Sequence, residues 1–258
     1  HNWVVKAVGA EEDYGEVTDK DTCVRVKYKE GMFTDSNQGF HIDLPIYYAV
    51  NSDNPDLAHK KESWILSHPI DFIVWFEEKV QSRFQKGFIL ESALYDDYQN
   101  WLTDVRKIDA QLRRIVRYLK GWADTQKNEM PAGIVMTILA AQNYAENERD
   151  DIALKDTLVR IRSYLEDNHY KCPRPTTPVG EDILASYDNN KKSFFKKSLD
   201  SFINSAKSAV AHPNQKDACA KWQAHLGNRF PCELAKDEIE NSKSYMSPAI
   251  IGDSAKSA

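Results

Sequence analysis

The chain has 258 residues, with 34 Lys+Arg against 39 Asp+Glu, a net charge of -5 and a pI ≈ 5.8. That length allows one large domain or two lobes, and 41% hydrophobic content excludes a wholly disordered chain. The acidic balance argues against a nucleic-acid coat, and no apolar run approaches the roughly 18 residues that a membrane span needs.

The first residues, His1-Asn2-Trp3-Val4, carry neither Met nor the pattern of a signal peptide, so the chain reads as starting part-way through a protein. Residues 1–8 read as the end of a helix, and 9–22 as a polar loop. Cys23–Tyr28 alternates, with Val24, Val26 and Tyr28 on one face and Arg25 and Lys27 on the other. Phe40–Tyr48 alternates too. Ile42, Leu44, Ile46 and Tyr48 are expected in the core, with His41, Asp43, Pro45 and Tyr47 facing away. The two runs form an expected antiparallel pair, and Pro45 marks an edge or an end. Two strands rarely stand alone, so the pair either docks on helices or has partner strands before His1.

Residues 51–61 read as loop, after which Ser67-His68-Pro69 opens a helix carrying Phe72, Ile73, Trp75, Phe76 and Val80. Further helices follow from the spacing of Leu112, Ile115, Val116, Leu119 and Trp122, then of Ile134, Val135, Ile138 and Leu139. Leu154, Leu158, Ile161 and Leu165 mark the next one. Residues 171–182 are rich in proline and cannot be helix interior. Phe195, Leu199, Phe202 and Ile203 mark another helix, and Cys219, Trp222 and Leu226 the last, capped by Gly227. The aromatic set Trp75, Phe76, Trp101, Trp122 and Trp222 reads as core. From residue 242 the sequence reads as a flexible tail.

The cysteines are Cys23, Cys172, Cys219 and Cys232; their scatter favours reduced thiols in a cytoplasmic protein. His212, Cys219, His225 and Cys232 lack the tight ligand pair of a zinc site. Cys219 is therefore expected to pack a helix, with the histidines facing solvent.

Three places carry candidate chemistry. Asp43, on a strand, is positioned as a metal ligand or as an ordinary exposed carboxylate. Arg106, Lys107, Arg113, Arg114, Arg117 and Lys120 form a basic cluster; Arg113, Arg117 and Lys120 share a helical face suited to a polyphosphate, or to solvent. Asp182 caps a helix carrying Ile183, Leu184 and Tyr187, or accepts hydrogen bonds from a base edge.

Phe40-His41-Ile42-Asp43-Leu44-Pro45-Ile46-Tyr47, Arg117-Tyr118-Leu119-Lys120-Gly121-Trp122, Met130-Pro131-Ala132-Gly133, Arg149-Asp150-Asp151 and Cys172-Pro173-Arg174-Pro175-Thr176-Thr177-Pro178 occur in this order. In this combination the chain resembles the bacterial cGAS/DncV-like nucleotidyltransferases of CBASS antiphage systems. The resemblance implies an α+β protein: a polymerase-β-like nucleotidyltransferase core joined to a mostly helical lobe. The expected division is 1–62 for the remainder of the core, 63–241 for the helical lobe and 242–258 for the tail.

Such enzymes join NTPs into a cyclic oligonucleotide that activates an effector, using two Mg²⁺ ions held by three carboxylates and no DNA or RNA template. By this resemblance Asp43 is the third carboxylate, Lys120 holds the triphosphate, and Asp182 reads a base. The Gly-Ser turn and Asp-x-Asp pair of the family are not found here, and Ala132 stands where relatives commonly have Ser. The chain alone is therefore expected to make no cyclic product, the preceding segment having been cleaved, disordered or omitted. In some of these systems an E1/E2-like ligase conjugates the synthase through its C-terminus, which implies Ala258 as the conjugation point. The alternatives are an incomplete fragment that acts as a binding partner or substrate of that ligase, and a nucleic-acid tailing enzyme, which the acidic pI disfavours.

Overall fold

The computed structural model describes residues 2–8, 14–28, 41–48, 55–81, 110–126 and 130–235. Phe40, Trp101, Arg106, Lys107 and the tail with Ala258 lie outside the described residues. By its contacts the chain divides into two units, His1–Lys79 with Pro173–Glu181, and Val80–Cys172 with Asp182–Ala258.

The N-terminal unit starts with α1 (Asn2–Val8), then an antiparallel sheet in the order β1 (Tyr14–Asp19), β2 (Cys23–Tyr28), β3 (His41–Pro45). Alternation on β2 buries Val24 and Val26 and turns Arg25 and Lys27 the other way. The β2–β3 register sets Val24 against Leu44, Arg25 against Asp43 and Val26 against Ile42. Ile42 nevertheless remains exposed and Leu44 half-buried, so β2 supplies the sheet's core residues.

β1 corrects two expectations: residues 9–22 are not all loop, and the sheet's third strand comes from the chain itself. Val17 is the lone aliphatic residue of Tyr14–Asp19, too little for a periodic signal. Its support is the backbone ladder on β2 and the Lys27–Glu16 ion pair across it.

The single strand expected over 40–48 is broken at Ile46. Pro45 has no N–H to continue the ladder, and Tyr47–Tyr48 (β4) pairs instead with β5 (Asp56–His59), which pairs with β6 (Ser63–Leu66). β5 lies in what reads as loop. Its hairpin is closed by His59, whose Nδ1 accepts hydrogen bonds from Lys61 N (3.3 Å) and Glu62 N (3.1 Å). That is side-chain turn chemistry, with no hydrophobic pattern to announce it. Tyr48, expected in the core, is exposed and packs its ring on Trp64 at 5.3 Å. α2 (Pro69–Gln81) begins on Pro69, as expected.

The helical unit contains α3 (Gln111–Thr125), α4 (Gly133–Asn143), α5 (Asp150–Asp167), α6 (Asn189–Val210) and α7 (Gln215–Leu226), then a short 3-10 turn, Cys232–Leu234. Its core is the set of stripes legible in the sequence. Leu112, Ile115, Leu119 and Trp122 of α3 are buried, as are Ile138 and Leu139 of α4 and Leu154, Leu158, Ile161 and Leu165 of α5. Phe195, Leu199 and Phe202 of α6 are buried with them, and Trp122 sits 5.1 Å from Phe202, ring to ring. Asp188 caps α6 by accepting from Lys191 N at 2.8 Å, and Asn214 caps α7 by accepting from Asp217 N at 3.0 Å. Residues 183–186 form turns, so the helix expected over Ile183–Tyr187 is absent and α6 starts at Asn189.

The cysteine expectation is overturned in part. Cys219 and Cys232 form a disulfide, with Cα atoms 5.6 Å apart, while Cys23 and Cys172 are free. The chain reverses at Gly227, which brings together residues whose spacing shows no motif. His225 does not face solvent either. It stacks on Phe202 at 4.7 Å and hydrogen-bonds with Ser205 Oγ at 2.9 Å, and burial pushes its pKa down. No described helix is long and apolar enough to cross a membrane.

Candidate functional site

Lys120 lies on α3 beside the buried stripe, and its side chain is exposed. Across from it, Pro131 and Ala132 lead into α4. Ala132 is extended (φ -58°, ψ 155°), offers no side-chain cap, and no acidic residue stands in the first turn. Val135 N and Met136 N donate to Ala132 O, which leaves the N–H groups of Gly133 and Ile134 without an acceptor inside the helix, and no acidic residue of the first turn offsets its positive end. The Lys120 stem runs over this turn: a Cβ built on Gly133 would stand 3.3 Å from Lys120 Cε and 3.6 Å from Cδ.

Gly133 thus lets an ammonium lie beside a helix N-terminus, a combination suited to a phosphate or another anion. Lys120, Ala123, Asp124, Met130, Pro131, Ala132 and Gly133 line a cleft of about 570 Å³. Tyr187 fixes the cleft's edge by donating to Met130 O at 3.1 Å. The sequence pointed to Lys120 and to Met130–Gly133 separately. The structure brings them together, and it adds Asp124, which spacing did not single out.

A second constellation braces α3 to the start of α5. Asp150 accepts from Arg114 Nε (2.6 Å) and Nη2 (2.9 Å), from Gln111 Nε2 (2.8 Å) and, at 3.4 Å, from the Tyr118 hydroxyl. Arg114 and then partial burial act on the Asp150 carboxyl in opposite senses, and the guanidinium wins: its pKa lies below the ordinary value. Arg149 pairs with Asp151. The basic cluster is therefore divided, with Arg114 turned to this brace and Lys120 to the cleft.

Asp43 belongs to the N-terminal unit. The β2–β3 register puts it opposite Arg25, whose Nε and Nη2 donate to the two carboxylate oxygens at 2.7 and 2.8 Å. This bidentate pair holds the carboxyl below its usual range and raises Arg25. A group of three or more His, Cys, Asp or Glu able to hold a metal does not occur among the described residues. With both oxygens committed to Arg25, the described residues do not by themselves fit a pair of Mg²⁺ ions.

Asp182 Oδ1 accepts from Cys172 N (2.8 Å) and Leu184 N (3.0 Å). It joins the two ends of the 173–181 loop and caps no helix. Inside that loop Arg174 and Glu181 pair through side chains and backbone, each bond 2.8 Å, and Gly180 turns with φ +83°. Cys172, at the stem, is fully buried and its thiol is pushed up to about 12 by burial, then by Asp182.

No family profile matches the chain. Among solved structures it is similar to the Vibrio cholerae DncV cyclic AMP-GMP synthase in complex with the linear intermediate pppA(3′,5′)pG, at 18% identity and a TM-score of 0.65. That match covers 91% of this chain and 59% of the other. The GTP-bound form of Vibrio cholerae DncV matches with 20% identity and TM-score 0.64, over 88% of this chain and 55% of that one. Escherichia coli DncV bound to 3′-deoxy GTP matches with 17% identity and TM-score 0.60, over 86% and 54%. The fold is thus that of the DncV dinucleotide cyclases, α+β as the motifs implied. The chain spans less than three fifths of the length of these solved chains.

Proposed function

We propose that the chain is part of a cGAS/DncV-like nucleotidyltransferase, an enzyme that joins NTPs into a cyclic second messenger. The observation that carries this reading is the Lys120 cleft at the start of α4, set within a DncV-like fold. In it Lys120 and the first N–H groups of α4 hold the triphosphate. Asp182, outside the lining of that cleft, meets a base through Oδ2, its Oδ1 being committed to the loop stem. Asp43 is one carboxylate of a Mg²⁺ site, where the metal competes with Arg25 for its charge. The metal would supply hydroxyl activation and leaving-group stabilisation, and the remaining carboxylates belong to the complete enzyme. The product activates a CBASS effector in the cytoplasm, where NTPs are held, and the C-terminus ending in Ala258 is the handle of an E1/E2-like ligase. A second reading for the 258-residue chain alone is that it binds but does not catalyse; among the described residues, no group of three or more His, Cys, Asp or Glu could hold a metal.

The test is calorimetric titration of the chain with ATP and with GTP, alongside Lys120→Ala, and an assay for phosphatase-resistant product with Mg²⁺. Binding that Lys120→Ala weakens about tenfold, with no cyclic product, is expected; losing one charged contact is of that size. Equal affinity in both proteins overturns the cleft assignment, and product from the chain alone overturns the catalytic incompleteness.

A further inference from the structure

The described part of the helical unit ends in a strap. After α7 the chain reverses at Gly227, whose N–H donates to Gln223 O at 2.8 Å. It then passes through Phe230 and the short turn Cys232–Leu234 to Ala235. Two links fasten this strap back to α7: Gln223 Nε2 donates to Phe230 O at 3.0 Å, and Cys232 is bonded to Cys219. The strap also walls a cavity of about 390 Å³. Phe230 and Cys219 line it together with Leu154 of α5, Val210 of α6 and Trp222 of α7.

Both members of the disulfide are half-buried rather than sealed in the core. The other cysteines offer no such target: Cys172 is fully buried, and burial, then Asp43, raises the Cys23 thiol. A covalent link that holds a short surface segment over a cavity, lined by Asp150 and Arg149 as well as by apolar side chains, differs from one tying together two core elements. Breaking it frees the segment and leaves α3, α4, α5 and α6, whose apolar stripes pack without the strap, in place.

We propose that Cys219–Cys232 is a thiol–disulfide exchange site, at which a dithiol reductant unlatches the 228–235 strap from α7 and opens the cavity behind Phe230. One thiolate of the reductant attacks one of the two sulfurs. The S–S bond breaks, a mixed disulfide forms, and the other cysteine leaves as a thiolate that takes up a proton. The reductant's second thiol then displaces the first cysteine. The chain gains two electrons and two protons as two thiols, and the dithiol becomes a disulfide. The reverse exchange with a disulfide of the same class relatches the strap.

The test uses the purified chain with and without dithiothreitol, read by native alkylation with peptide mass spectrometry and by hydrogen exchange. Before reduction, the peptides containing Cys219 and Cys232 are expected to be linked. After it, both cysteines alkylate while Cys172 stays protected. Amides of 229–235 then exchange about tenfold faster or more, and those of α3 and α5 do not change. The variant Cys232→Ser is expected to reproduce the fast exchange with no reductant; if it fails to fold, reduction of the wild type still decides. The proposal is overturned if Cys219 and Cys232 alkylate before reduction. It is equally overturned if strap exchange after reduction is unaltered, or if α3 and α5 lose protection along with the strap.

Discussion

Replacing Asp150 by Asn keeps its shape and removes its charge, which tests whether the brace between α3 and α5 is electrostatic. The carboxylate receives two guanidinium bonds from Arg114 and one amide bond from Gln111, at 2.6–2.9 Å. A bond to a charged group contributes about 1.5–3 kcal/mol net, and the asparagine oxygen keeps part of that set. Both partners keep 29% of their side-chain surface in solvent, so the pair falls between exposed and buried bridges. Asp150 also stands in the first turn of α5, where a negative charge adds about 0.5 kcal/mol. A loss of about 2 kcal/mol follows, which for a domain of this size is a fall in Tm of about 4–8 °C.

The pH dependence is a second readout. The folded pKa of Asp150 is depressed, so its contribution is present above the unfolded value of about 3.9 and disappears as the pH falls through the lower folded value. Below about pH 4 the wild type is therefore expected to lose stability faster than Asp150→Asn, and the two curves converge. Urea unfolding at a series of pH values, with Arg114→Gln completing a double-mutant cycle, measures both effects. A loss under about 0.5 kcal/mol, or two parallel pH curves, would refute the brace.

Gly227 has φ +82° and ψ 172°, a region open in practice to glycine alone, and a Cβ there would stand 3.1 Å from Thr125 Cγ2. Gly227→Ala is expected to cost about 2 kcal/mol in thermal unfolding, and an unchanged Tm would show the turn to be unstrained by the methyl group. The tail is tested by deleting residues 254–258 in the presence of the ligase. Adducts seen by mass spectrometry with the intact chain are expected to vanish, and their persistence would remove Ala258 as the point of attachment.

What the sequence revealed, and what it hid, follows from the range of the interactions. The buried stripes of α3, α5 and α6 repeat within one helix, so their period is visible without knowing any partner. The Lys120 cleft was half visible, because each wall has its own local signature, but their meeting depends on how α3 and α4 pack. β1 and β5 were missed because ladders and turn side chains hold them more than apolar alternation does. The disulfide was missed because it depends on the reversal at Gly227. Asp43 shows the limit most sharply. Alternation fixes which side of β3 it takes, and that alone fits a metal ligand as well as an ion pair. Only the register, which places Arg25 opposite it, shows that both oxygens already accept from a guanidinium, so any metal at this carboxylate would compete with Arg25 for its charge.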